Sequence, residues 1–132
     1  MPRPVRLVTF IELDQPGADQ LAFSARLSAE LDDGRLVPLL TDRGWAQSGP
    51  RPGGGDPWAG VSERELADAA RTVVGPDEPP PGRTQDEEDA LHWRALAARL
   101  GPHGVAADGE GLRRLPHDVE LSERVRTRLP QS

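Results

Sequence analysis

The residue types that most often carry out chemistry in proteins are sparse in this chain of 132 residues. It contains no cysteine and no lysine, which excludes thiol nucleophiles, iron–sulfur clusters, Schiff bases and the lysine of a phosphate loop. Histidine occurs three times, at His92, His103 and His117, with spacings of 11 and 14 residues that match no set of metal ligands. We therefore expect neither a metal nor another cofactor.

These histidines support the first of two functional hypotheses, a small enzyme or a ligand-binding protein. Asp118 directly follows His117, and both side chains would line a pocket between the sheet and the helices that are predicted below. His92 and His103 are further candidates for the same pocket. The hypothesis requires a concave pocket in which these polar groups converge.

The second hypothesis, which we favour because so few catalytic residue types are present, is a non-catalytic protein-binding module. Such a module would act as an accessory, regulatory or immunity-type partner of another protein. An acidic segment, defined here as residues 77–89, carries six carboxylates against Arg83 alone, and such a field accelerates the encounter with a basic partner. The candidate interaction residues are Asp77, Glu78, Asp86, Glu87, Glu88, Trp45 and Trp58.

Each part of this interaction hypothesis also has a structural interpretation. Asp86, Glu87 and Glu88 fall in the first turn of a predicted helix, where the helix dipole stabilises anions. Trp45 and Trp58 flank a loop rich in Gly and Pro, and their large apolar area would pin that loop to a small core. Both interpretations stay open at the level of the sequence.

The composition of the chain limits which classes of partner and which cellular compartment we expect. Acidic residues outnumber basic ones by 22 to 16, for a net charge of −6, and no basic stripe is present, so nucleic acids and anionic membranes are disfavoured. The apolar stretch at residues 7–11 is too short for a signal peptide or for a membrane span of about 20 residues. We expect a cytoplasmic protein, and the absence of Lys and Asn is typical of a high-GC bacterium.

The elements that must position these residues are predicted as strands first and helices after. Apolar residues alternate from Leu21 to Leu31 with the period of a strand. Asp33 and Gly34 predict a two-residue type I′ turn, which would place Leu36 opposite Leu31. The strand that follows this turn contains Pro38 and is therefore predicted at an edge of the sheet, where proline is tolerated.

Two capping boxes, which begin at Ser62 and Thr84, predict helices over about 62–74 and 85–100. Strands are expected within residues 5–40, a loop rich in Gly and Pro at 46–57, and a mixed segment at 105–129. Residues 1–132 are expected to form a single small domain. The predicted fold class is α+β, with an N-terminal three-stranded antiparallel meander followed by two to three helices packed on one face.

Overall fold

Three long strands come first in the chain and the helices follow them. The computed structural model describes residues 2–16, 20–48 and 61–129. The elements are β1 (Pro4–Pro16), β2 (Gln20–Leu31), β3 (Leu36–Ser48), α1 (Glu63–Val73), α2 (Gln85–Ala98), α3 (Gly109–Arg113), β4 (His117–Leu121) and α4 (Glu123–Arg128). The predicted α+β class, with a meander followed by helices, is confirmed.

The sheet contains a fourth strand that the sequence did not reveal. Its strands lie in the order β3-β2-β1-β4, with β1 antiparallel to β2 and parallel to β4. Leu7 of β1 pairs with His117 of β4, a contact between residues far apart in the chain that no local pattern encodes. Residues 105–129 therefore contain a strand as well as two short helices.

The turn between β2 and β3 is one residue longer than predicted. The N–H of Gly34 donates to the carbonyl of Leu31, and the N–H of Leu31 donates to the carbonyl of Arg35. Gly34 has a φ of 90°, and no other residue of this turn has a positive φ, whereas a type I′ turn needs two. The predicted turn is wrong, and the observed one is a type I turn followed by a left-handed glycine.

This extra residue reverses the face of the sheet on which Leu36 lies, because side chains alternate along a strand. Leu36 pairs with Glu30 rather than Leu31 and is 56% exposed, whereas Val37 is 2% exposed. Further along β3, shifts in register bring both Leu39 and Leu40 into the core. The prediction that this strand lies at a sheet edge is confirmed.

Apolar residues from all the described helices pack on the same face of the sheet and form two clusters. The turn-end cluster lies near the β2–β3 turn and includes Leu31, Val37, Leu96, Leu100 and Leu112. The far-end cluster lies at the opposite end and includes Leu13, Leu21, Phe23, Leu66 and Val125. Within the described ranges, none of the helices has the length and apolar character to cross a membrane.

Both predicted helix starts are confirmed by their caps. The Ser62 hydroxyl accepts a hydrogen bond from the N–H of Glu65, and the Thr84 hydroxyl accepts one from the N–H of Glu87. These bonds satisfy N–H groups that have no partner within the helix. The predicted loop at 46–57 begins later than expected, since β3 continues to Ser48, and the rest of it lies outside the described residues.

Candidate functional site

The structure does not bring the three histidines together. The Nε2 atom of His92 donates to the carbonyl of Val74 at 3.0 Å, and its ring meets the ring of Trp93 edge-on at 5.3 Å. His103 is exposed in a short 3₁₀ turn after α2, and His117 lies on β4. Among the described residues, no three His, Asp or Glu side chains form a group that could hold a metal ion.

His117 and Asp118 lie on opposite faces of the sheet. They are successive residues of β4, and successive side chains of a strand point in opposite directions. His117 faces the helices and hydrogen-bonds with Thr9, whereas Asp118 lies on the other face and accepts a hydrogen bond from Arg6. The two residues therefore do not line a common pocket.

The contact of His117 with Thr9 is the feature that most resembles a catalytic pair. The Thr9 hydroxyl lies 2.6 Å from Nε2 of His117, and burial, aided by the nearby Arg71, lowers the pKa of this histidine. A hydroxyl beside a neutral imidazole is the arrangement of a nucleophile and its base. Thr9 is 0% exposed, however, so its oxygen is closed to a substrate and the contact instead satisfies a buried hydroxyl.

Three of the five predicted interaction acids have partners within the chain. Asp77 lies 2.9 Å from a guanidinium nitrogen of Arg43, and Glu88 lies 2.7 Å from one of Arg83. Glu87 is part of the capping box at the start of α2. The remaining two, Glu78 and Asp86, are exposed and form no ion pair within the described part of the chain.

The described tryptophans pack against the core. Trp45 is half-buried, contacts both clusters and stacks on Phe23, with the ring centroids 5.1 Å apart. Trp93 is half-buried against the turn-end cluster. Trp58 lies outside the described residues.

A large surface that the sequence did not single out is the face of the sheet opposite the helices, here called the uncovered face. Its register places alternate residues of β1 beside those of the neighbouring strands. Its members include Arg6, Val8, Phe10 and Glu12 of β1, Ala22, Ser24, Arg26, Ser28 and Glu30 of β2, Leu36, Pro38, Gly44 and Ala46 of β3, and Asp118 and Glu120 of β4.

Arg6 links three strands across this face. Its Nε and Nη2 atoms donate to the two carboxylate oxygens of Glu30 at 3.0 and 3.1 Å, and Nη1 donates to Asp118 at 2.9 Å. These hydrogen bonds raise the pKa of Arg6, with the bond to Glu30 the largest cause. The bidentate pair with Glu30 of β2 fixes the orientation of the guanidinium, so that its third nitrogen reaches Asp118 of β4.

Phe10 is the exposed aromatic residue at the centre of the uncovered face. Phe10 is 38% exposed, and it lies between Arg26 of β2 and Glu120 of β4, both of them exposed. Its diagonal neighbours on β2 are Ser24 and Ser28, whose side chains are short. On β1 itself, the buried Val8 and the charged Glu12 flank Phe10 on the same face, so the surroundings of the ring are small and charged except at Val8.

The two candidate features differ in their access to solvent. Among the described residues, the hydroxyl that contacts an imidazole is fully buried, whereas an exposed aromatic ring lies in the middle of an open sheet face. No family model, curated protein or solved structure matches this chain.

Proposed function

We propose that the protein is a non-catalytic protein-binding module and that it binds a basic partner protein through the uncovered face. The observation that carries this proposal is Phe10, an aromatic residue that is 38% exposed on the central part of a four-stranded sheet. Aromatic residues surrounded by polar ones are the usual anchors of protein interfaces. Arg26 and Glu120 provide such a polar surrounding on either side of the ring.

The charge of the uncovered face favours a basic partner. It carries four carboxylates, from Glu12, Glu30, Asp118 and Glu120, against the two guanidinium groups of Arg6 and Arg26, and Arg124 of α4 lies 3.9 Å from Glu12 at its margin. The whole chain has a net charge of −6, which attracts a basic partner at long range as well. Complementary charge accelerates the encounter and disfavours acidic competitors.

The edges of the sheet offer less support for binding by strand addition. The guanidinium of Arg99 donates to the carbonyl of Leu39 on β3, and that of Arg71 donates to the carbonyl of His117 on β4 at 3.1 Å. An added strand needs such carbonyls as acceptors, and charged side chains at an edge oppose it. These contacts support the face of the sheet rather than its edges as the binding surface.

The proposal can be tested with two substitutions of nearly equal exposure. Partners captured from a lysate of the native host are identified, purified and titrated against the native chain, Phe10→Ala and Leu91→Ala. Phe10 is 38% and Leu91 is 41% exposed, and Leu91 lies on α2, away from the uncovered face. We expect Phe10→Ala to weaken binding at least about tenfold, as the loss of an aromatic anchor does, and Leu91→Ala to leave it within about twofold.

A third variant separates this surface from the acidic segment. Glu78 and Asp86 are the acids of this segment that form neither an ion pair nor a side-chain hydrogen bond in the described chain, whereas Glu87 takes part in the capping box. Glu78→Gln with Asp86→Asn therefore removes charge without breaking such a contact. We expect this double variant to bind the partner slightly more weakly than the native chain at low salt, where surface charges are least screened. If this variant loses the partner and Phe10→Ala keeps it, the acidic segment rather than the uncovered face is the binding surface.

A further inference from the structure

A groove between α2 and α3 is a second feature of the surface, distinct from the uncovered face. Its volume is about 280 Å3. The residues that line it are Ala90, Trp93, Arg94, Gly109, Glu110 and Arg113. We propose that this groove binds a small organic carboxylate, in which the charged group is joined to a compact apolar body.

The walls of the groove are set by the close approach of α3 to α2. A Cβ atom on Gly109 would lie 2.8 Å from the backbone nitrogen of Arg94 and 2.9 Å from the backbone carbonyl carbon of Trp93. Both distances are too short for a Cβ atom, so the helices approach this closely only because residue 109 is a glycine. The ring of Trp93 packs against the turn-end cluster. The groove therefore has a fixed aromatic wall.

The charges around the groove favour an anion. Arg94 is exposed and forms no ion pair within the described part of the chain, and Arg113 is 3.9 Å from Asp89, at the limit of an ion pair. The carboxylate of Glu110 also lines the groove, but Arg114 lies 3.3 Å from it. Among the residues that line the groove, the two guanidinium groups of Arg94 and Arg113 outnumber the single carboxylate of Glu110, a local excess of positive charge in a chain whose net charge is −6.

Size and chemistry then define the ligand. Sites for drug-sized molecules and cofactors have volumes of about 300–1,000 Å3, so a groove of about 280 Å3 suits a smaller molecule than a nucleotide. A guanidinium group pairs well with a carboxylate. The indole ring of Trp93 supplies an apolar wall for the remainder of the ligand.

Phenylacetate is a suitable probe, and phenylacetamide is its uncharged counterpart. Both are titrated into the 15N-labelled chain near neutral pH while the indole N–H signal of Trp93 is followed by NMR. For a ligand of this size we expect a dissociation constant on the order of 1 mM for phenylacetate and at least about threefold weaker binding of the amide. A short peptide that ends in a free phenylalanine carboxylate serves as a third probe.

Two lining residues of opposite charge make the test sharp. Arg94→Gln should weaken phenylacetate binding at least about twofold, and Glu110→Gln should strengthen it by a similar factor. Arg64→Gln is the control, because Arg64 is an exposed arginine of α1 and its loss changes the net charge equally.

Several outcomes would overturn the assignment. Equal binding of acid and amide would show that no carboxylate is recognised, and equal effects of Arg94→Gln and Arg64→Gln would show only a response to net charge. Tighter binding of the peptide than of phenylacetate would assign the groove to a polypeptide terminus instead. Shifts that leave Trp93 unchanged would place the ligand elsewhere.

Discussion

Removal of the imidazole of His117 is expected to destabilise the fold through Thr9. Thr9 is 0% exposed on the central strand β1, and His117 is the hydrogen-bond partner of its hydroxyl at 2.6 Å. A buried hydroxyl that loses its partner costs about 1–3 kcal/mol, and the lost packing of a half-buried ring adds about 1 kcal/mol. We therefore expect His117→Ala to lower the free energy of unfolding by about 2–4 kcal/mol.

A second substitution identifies the cause of this loss. Thr9→Val keeps the shape of the side chain and removes the hydroxyl, so in the double variant no buried group lacks a partner. We expect the double variant to be more stable than the sum of the two single losses predicts, by about 1–2 kcal/mol. Urea unfolding followed by circular dichroism gives the free energy of unfolding of the native chain, the two single variants and the double variant. If the loss in the double variant equals the sum of the two single losses, the Thr9 and His117 side chains are not coupled.

The same pair gives the stability of the fold a pH dependence of known sign. Burial is the largest cause of the lowered pKa of His117, and the ordinary histidine value is 6.5. As the pH falls, His117 therefore takes up a proton at a higher pH in the unfolded chain than in the folded chain. The contribution of neutral, buried His117 to the free energy of unfolding is complete above pH 6.5 and is lost as the pH falls below that value. The pKa of His92 is lowered by burial as well, so His117→Ala should remove only part of the slope between about pH 7 and pH 5.

Two further predictions compare matched substitutions by thermal unfolding. Gly109→Ala should lower the free energy of unfolding by about 1–3 kcal/mol because its Cβ would overlap the backbone of α2. Gly101→Ala should leave it unchanged, since nothing lies within 4 Å of that Cβ. Equal melting temperatures of the two variants would contradict the close approach of α3 to α2. Val37→Thr should lower stability by about 1–3 kcal/mol and Leu36→Thr by less than about 0.5 kcal/mol, because the former is 2% and the latter 56% exposed. A larger loss of stability for Leu36→Thr than for Val37→Thr would contradict the observed three-residue turn and support the two-residue turn predicted from the sequence.

The sequence predicts the elements that depend on local signals. The capping residues Ser62 and Thr84 mark the helix starts because a cap and its N–H partners lie within one turn of chain. The alternation of apolar and polar residues in β2 marks its buried side because it too is a pattern among neighbouring residues. By contrast, β4 pairs with β1 across most of the chain, and its five residues carry too little pattern to be separated from α4.

The candidate surfaces depend on relations that the sequence does not contain. In β1, apolar residues occupy both alternating sets, so the pattern alone does not decide whether Phe10 or Ile11 is buried; the helices decide it by covering Ile11, which is 0% exposed. The partners of Asp77 and Arg6 are set by tertiary packing. The dipeptide formed by Asp33 and Gly34 fits both a two-residue turn and the observed longer one.

The most direct test of the proposed function is to map the interface with a purified partner by NMR. At 14.3 kDa the chain suits assignment of its backbone amides, and signals are followed as unlabelled partner is added. The proposal predicts that the shifted signals cluster on the uncovered face around Phe10 and Glu120, and that Phe10→Ala abolishes them at the same concentration. Shifts confined to the acidic segment or to the groove between α2 and α3 would contradict it.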